Sequence, residues 1–434
     1  MQTTTQNATR ALGPETITRR VLDNGLTVLV FQKTTTPALV AHLSVKGGAM
    51  YDPSGKAGLA SFAARSMRRG TEQRTFDQLN EDTENRGASV GVDAGQVLME
   101  VGGRALKEDT GFLMETIAEL ALHPSFPESE IEKLRVLIRT GLLEAEQDTG
   151  SVAERAFRET LFPEGHPYHN RTAGFLETLD NIKRDDMVSF YDRYFRPDRA
   201  LVVVVGDVDP DDIVRRVDGL FGGWQPKGDQ PEPYEIPDVA QPGGTRVVFK
   251  HVPGKTQNDI VLGFPSIRRS DPDYYAFDIM NLLLGRIGLM GRLGKNVRDA
   301  QGLAYYAGSS FEAGLGAGPW AVRAGVNPTN VNKAIESIKH EIERIRTEPI
   351  PDEELQGGIR YMTGVLPLRL ETSDGIARSI LEMELYGLGF DYISNYPSII
   401  RALTPEAVHD VASRRLSTEN YIAAIAGPPV EDLA

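Results

Sequence analysis

The chain has no cysteine among its 434 residues. That excludes disulfides, thiolate nucleophiles and cysteine-type zinc sites, and it fits a reducing compartment. No apolar run approaches the ~18 residues of a membrane span. Residues 1–15 are polar and Thr-rich with no apolar segment, so neither a signal peptide nor an anchor is expected. Basic residues are the minority, 47 against 61 acidic, for a net charge of −14. Phosphate binding needs a basic face, so nucleic acid is not an expected partner. An acidic solvated surface accounts for the imbalance, and the same charge would draw basic peptides toward a cleft. Neither a G-x-S-x-G nucleophile elbow nor a Walker loop occurs. Of the seven histidines, His166 and His169 form H-P-Y-H in a loop, without the helical spacing of a zinc pair and with no carboxylate three or four residues on. His42, His123, His251, His340 and His409 are scattered and read as structural. The expected compartment is the cytoplasm, with the periplasm open if a leader has been removed.

What is present is the composition of a soluble globular protein, 40% hydrophobic and 25% charged, long enough for two domains of about 200 residues. Residues 17–31 alternate around Asp23-Asn24-Gly25, a strong hairpin signal. Val40–Lys46 is a second strand, Gly58–Met67 opens a helix, and Thr75 is an N-cap for a helix stopped by Gly87. Strand-like runs around 89–92 and 96–102 precede an amphipathic helix over 108–122 and a long helix over 128–148. The apolar run Ala200–Val205, closed by Gly206-Asp207, is a buried strand.

Residues 226–244 hold five prolines (226, 231, 233, 237 and 242) and little periodicity, which marks an extended linker. Beyond it the pattern restarts: Arg246–Lys250 and Asp259–Phe264 repeat the opening strands, Ala276–Leu284 stands where the first helix stood, and Tyr421–Gly427 repeats the closing strand. The expected organisation is a flexible tail over 1–16, a domain over 17–225, a linker over 226–245 and a homologous domain over 246–434. Strands and helices mix irregularly, so the fold class is α+β.

In the second half, Val297-Arg298-Asp299-Ala300-Gln301-Gly302-Leu303-Ala304-Tyr305 puts an arginine at a helix end and a tyrosine at a strand start. Both side chains can then point into one cleft as donors to a carbonyl oxygen. The alternative is a helix-end arginine capping carbonyls and a tyrosine half in the core. The glycine cluster 314–318 lacks the strand–loop–helix context of a nucleotide site and is a loop tip, with a substrate-facing flap as the other reading.

The stretch Gly58-Leu59-Ala60-Ser61-Phe62-Ala63-Ala64-Arg65-Ser66-Met67-Arg68-Arg69-Gly70-Thr71 resembles the zinc-site helix of the pitrilysin-type (inverzincin, M16) metallopeptidases, G-x-A-H-x-x-E-H followed by Gly-Thr. The 297–305 segment is similar to the same family's Leu-Arg-x-x-x-Gly-Leu-x-Tyr signature. In the family two helix histidines hold zinc and the glutamate activates water. Here the ligand positions are Ser61 and Arg65 and the base position is Ala64. The third ligand belongs to a Glu-Glu pair seven residues before an Asp, and anchoring on Asp148 puts Gly141 and Leu142 there. Serine is a poor zinc ligand, guanidinium offers only donors, and alanine takes no proton.

The resemblance implies two homologous domains, each a mostly antiparallel sheet of about six strands packed with helices, in the mitochondrial-processing-peptidase/LuxS-like metallohydrolase fold. It implies no cofactor in this chain, with zinc expected in a homologous H-x-x-E-H-bearing partner. The expected function is the zinc-free subunit of a heterodimeric peptidase, with Arg298 and Tyr305 acting in trans on peptide substrates; self-association is the alternative to that partner. The rival is a purely structural or binding subunit of the same fold.

Overall fold

A computed structural model describes residues 11–232, 235–431 and 433. Residues 1–10 of the expected N-terminal tail, and Pro233 of the linker, lie outside the described residues. The opening hairpin forms where alternation and Asn-Gly place it. Strands β1 (Ile17–Val21) and β2 (Thr27–Gln32) pair antiparallel with Ile17 opposite Phe31. The turn works because Gly25 takes φ +90°, while the Asn24 side chain accepts from Leu26 N at 3.1 Å and donates to the Phe221 carbonyl at 2.7 Å.

Those two strands start a six-stranded sheet. With β3 (Ala38–Lys46), β4 (Ser89–Ala94), β5 (Leu98–Leu106) and β6 (Ala200–Gly206), its order is β1-β2-β6-β3-β5-β4. Only β2 and β6 run parallel. All seven residues of β6 are buried, which is why it reads as an unbroken apolar run rather than an alternating one. Helix Ser373–Leu385 lies on β3 and β6, where Ile376, Ala377 and Ile380 meet Leu29, Phe31, Val203 and Val205. Helices Thr110–Leu122 and Pro210–Phe221 pack on β5 and β2, and helix Leu59–Met67 on β4.

The second sheet contains β7 (Arg246–His251), β8 (Asn258–Pro265), β9 (Ala304–Ala313), β10 (Ala317–Val326) and β11 (Ile422–Gly427), in the order β7-β11-β8-β10-β9. It repeats the first sheet without an equivalent of β1. The parallel pair β7/β11 matches β2/β6, and the antiparallel series β11-β8-β10-β9 matches β6-β3-β5-β4. The glycine cluster forms the β9–β10 hairpin tip. The core centres on Trp320, fully buried, stacked on Phe264 at 4.9 Å and donating its indole N–H to Asn281 Oδ1 at 2.9 Å. Helix Thr149–Leu161 packs on β8 and β11.

The chain divides into two compact units that each draw on both halves of the sequence. Among the described residues, one comprises those up to 140, 171–232 and 366–395, the other 141–170, 235–365 and those from 396 on. Among the described residues, no helix is long and apolar enough to cross a membrane.

Candidate functional site

Helix Leu59–Met67 is built to be rigid at its start. Gly58, its N-cap, takes φ +96°, and the Asp52 carboxylate accepts from Gly58 N at 2.7 Å and Ala60 N at 2.8 Å. Asp52 thus braces the helix from outside it, six and eight residues ahead of the groups it accepts from. Burial pushes the Asp52 carboxyl up to about 7, against the pull of the backbone N–H groups it accepts from. Gly174 closes on the same point: a side chain there would overlap the Ala57 carbonyl oxygen.

Seven of the nine helix residues are buried, Ala64 among them. Ser61 and Arg65, one turn apart on a common face, are half-buried. Arg69 follows one turn later, stacked over Phe76 at 4.5 Å and 4.0 Å from Glu130. Arg68 turns elsewhere, donating to the Val90 carbonyl at 3.0 Å and to Asn80 at 2.8 Å. A hydroxyl, a methyl and a guanidinium do not fit a zinc ion. Among the described residues, no group of three or more His, Asp or Glu side chains could hold a metal.

Gly141 is exposed and Leu142 buried on helix Glu128–Glu146. That helix stops short of the expected end at Asp148, whose side chain instead caps helix Thr149–Leu161 by accepting from Ser151 N at 2.7 Å. The same helix exposes Val136, Leu137 and Leu143. Ser61, Ala64 and Arg65 belong to the first compact unit; Gly141, Leu142, Arg298 and Tyr305 belong to the second.

Arg298 and Tyr305 are neighbours. Arg298 lies in a π-helical turn, Gly294–Ala300. Gly302 reverses the chain at φ +62°, and β9 begins at Ala304. Ala304 pairs with Val326 and Tyr306 with Gly325, so Tyr305 is the extra residue of a β-bulge. Bulges re-aim side chains. Here the result is a tyrosine 78% exposed, its ring centroid 5.8 Å from the Arg298 guanidinium carbon. Behind the turn, the Gln301 amide donates to Asn296 Oδ1 at 2.8 Å and to Ser337 at 3.0 Å. Asn296 in turn donates to the buried Glu341 at 2.5 Å. The π-turn is therefore pinned while its arginine stays available as a donor beside the phenol.

The sequence reading missed a second cluster. Asp259, 4% exposed, accepts from the Thr149 and Tyr306 hydroxyls and the Gln257 amide. An aspartate heading the apolar run of β8 was the available signal. His166 is structural: Nε2 meets the Pro237 carbonyl at 3.0 Å and Nδ1 accepts from Tyr168 N at 3.1 Å, which leaves neither nitrogen for a metal. Burial lowers its pKa, favouring that neutral ring.

Comparison with known proteins follows the same outline. A family model described as "Insulinase (Peptidase family M16)" matches residues 27–172, and one described as "Peptidase M16 inactive domain" matches residues 181–362. An uncharacterized zinc protease of Streptomyces coelicolor is 23% identical over 429 residues, covering 96% of this chain and 90% of that one. A protein of Helicobacter pylori described as "Non-peptidase homolog YmxG" is 23% identical over 398 residues, 90% of this chain and 89% of its own. Among solved structures, an M16 inactive domain from Pseudomonas fluorescens superposes with TM-score 0.88 at 21% identity, covering 95% of this chain and 98% of that one.

Proposed function

The chain belongs to the M16 peptidase family as a member without the zinc motif, and from that premise we propose that it is the non-zinc-binding subunit of a two-chain peptidase. Its contribution is the Arg298–Tyr305 pair. A peptide carbonyl oxygen held beside both would accept from the guanidinium and the phenol, and both bonds would strengthen as that oxygen gains negative charge under attack by water at the partner's zinc site. Neither group need change protonation. Substrates are unfolded peptides, or segments extended as an added strand against a sheet edge.

One observation carries the reading. Where the helix frame has lost every group with metal or base chemistry, the pair keeps two adjacent donors, with a bulge turning Tyr305 outward. The description of the Helicobacter relative as a non-peptidase homolog suits a rival, a subunit that only binds or assembles. The test is to mix the chain with an H-x-x-E-H-bearing homologue from the same source. A 1:1 complex by size exclusion with light scattering is expected, and its peptide turnover should fall when Tyr305→Phe or Arg298→Ala is introduced here. Wild-type turnover in both variants would leave the scaffold reading in place.

A further inference from the structure

A metal site that loses its ligands normally loses its positive charge. This one has not. Arg65 occupies the second ligand position, half-buried, and is the one lysine or arginine among the described residues that is withdrawn from solvent with neither hydrogen bond, ion pair nor ring contact. A guanidinium is charged at every accessible pH, and sheltering it without an acceptor is costly. On the same helix face the Ser61 hydroxyl stands one turn before, and Arg69 follows four residues on, just past the helix end. Arg69 is only loosely neutralised by Glu130 at 4.0 Å, which Lys133 engages more closely at 2.6 Å. Besides burial, the repulsion of Arg65 lowers the Arg69 pKa. The helix face is therefore locally electropositive on a chain of net charge −14.

We infer that the emptied zinc helix is a carboxylate-binding site, in which Arg65, flanked by Ser61 and Arg69, holds the negative end of a peptide. A planar fork of N–H donors matches a carboxylate in two parallel bonds, and a hydroxyl one turn away can add a third. The carboxylate would come from a peptide's C-terminus or from an acidic side chain within it; the chemistry at Arg65 is the same. This rests on the reading of the chain as a peptide-holding subunit, and it goes further by giving that subunit a charge preference independent of Arg298 and Tyr305.

The experiment uses the full chain and three fluorescein-labelled peptides of one twelve-residue sequence. The first ends in a free carboxylate and has no Asp or Glu, the second is its C-terminal amide, and the third is that amide with a single central Glu. Anisotropy titrations should show the first or the third binding roughly ten- to a hundredfold tighter than the plain amide, the range of a charge-assisted hydrogen bond. Which of the two does so identifies the source. Arg65→Met should erase the preference and Arg65→Lys should keep part of it, with melting temperatures confirming that both variants fold. Equal binding of all three peptides, or a preference that survives Arg65→Met, overturns the carboxylate site and leaves the subunit reading intact. Absence of binding to any peptide overturns both.

Discussion

The Tyr306 hydroxyl donates to the Asp259 carboxylate at 2.6 Å, whereas Tyr305, next along β9, has no hydrogen-bond partner for its hydroxyl among the described residues. Two adjacent tyrosines thus separate into a structural one and an available one. Tyr306→Phe should cost about 1–3 kcal/mol of stability, because a buried acceptor loses a donor, and leave turnover of the assembled complex unchanged. Tyr305→Phe should do the reverse: an unchanged melt, and a kcat lower by ~10²–10³ if the phenol stabilises the developing oxyanion. Paired melting curves and steady-state kinetics on the two variants check this. Equal effects of both would mean that the bulge does not sort their roles.

Metal content offers a second check. If Ser61 and Arg65 stand at two ligand positions and Gly141 or Leu142 at the third, as proposed, the purified chain should carry no stoichiometric zinc and should hydrolyse no peptide by itself. Elemental analysis giving one tightly held zinc per chain, removable together with an activity, would contradict the reading at its base.

Asp52 predicts a pH dependence. Its pKa in the folded chain is raised to about 7 by burial, so the neutral carboxyl is the form the fold favours. The stabilisation is complete below the unfolded value near ~3.9 and is lost as pH rises toward 7. Relative to Asp52→Asn, which cannot ionise, the wild type should therefore lose stability between pH 4 and 7. Urea unfolding of both proteins across that range makes the comparison; parallel curves would show that Asp52 titrates normally.

Gly174, at φ +73° and closed against Ala57 and Gly58, admits no side chain without displacing backbone. Gly174→Ala should destabilise by more than about 1 kcal/mol, through strain at a left-handed position plus overlap. Gly165, also left-handed at φ +86° but with open space around it, should lose less on the same change. A melt of each variant ranks them.

Local chemistry made much of this legible in the sequence. Asn24-Gly25 announced its hairpin, and Thr75 forms a capping box with Gln78. The unbroken valines of β6 marked a strand covered on both faces, and the restart after the linker announced the second sheet. The arginine–tyrosine spacing named two residues that the fold places side by side. What stayed hidden depends on distant partners. The bulge at Tyr305 exists only in its pairing with β10. Nothing local marks Asp52 as a helix brace, because its partners lie six and eight residues further on. Helix Thr149–Leu161, and the helices between residues 352 and 415, went unassigned, since their apolar faces take their meaning from sheets far away in the chain.

The placement of two of those helices has a consequence for how the chain can be divided. Thr149–Leu161 covers β8 and β11, and Ser373–Leu385 covers β3 and β6, so each half of the sequence roofs a sheet belonging to the other. A cut in the linker would not release two autonomous proteins. Either fragment alone would leave part of an apolar sheet uncovered and an amphipathic helix without its sheet, whereas the two produced together would complement one another and reassemble without a covalent bond.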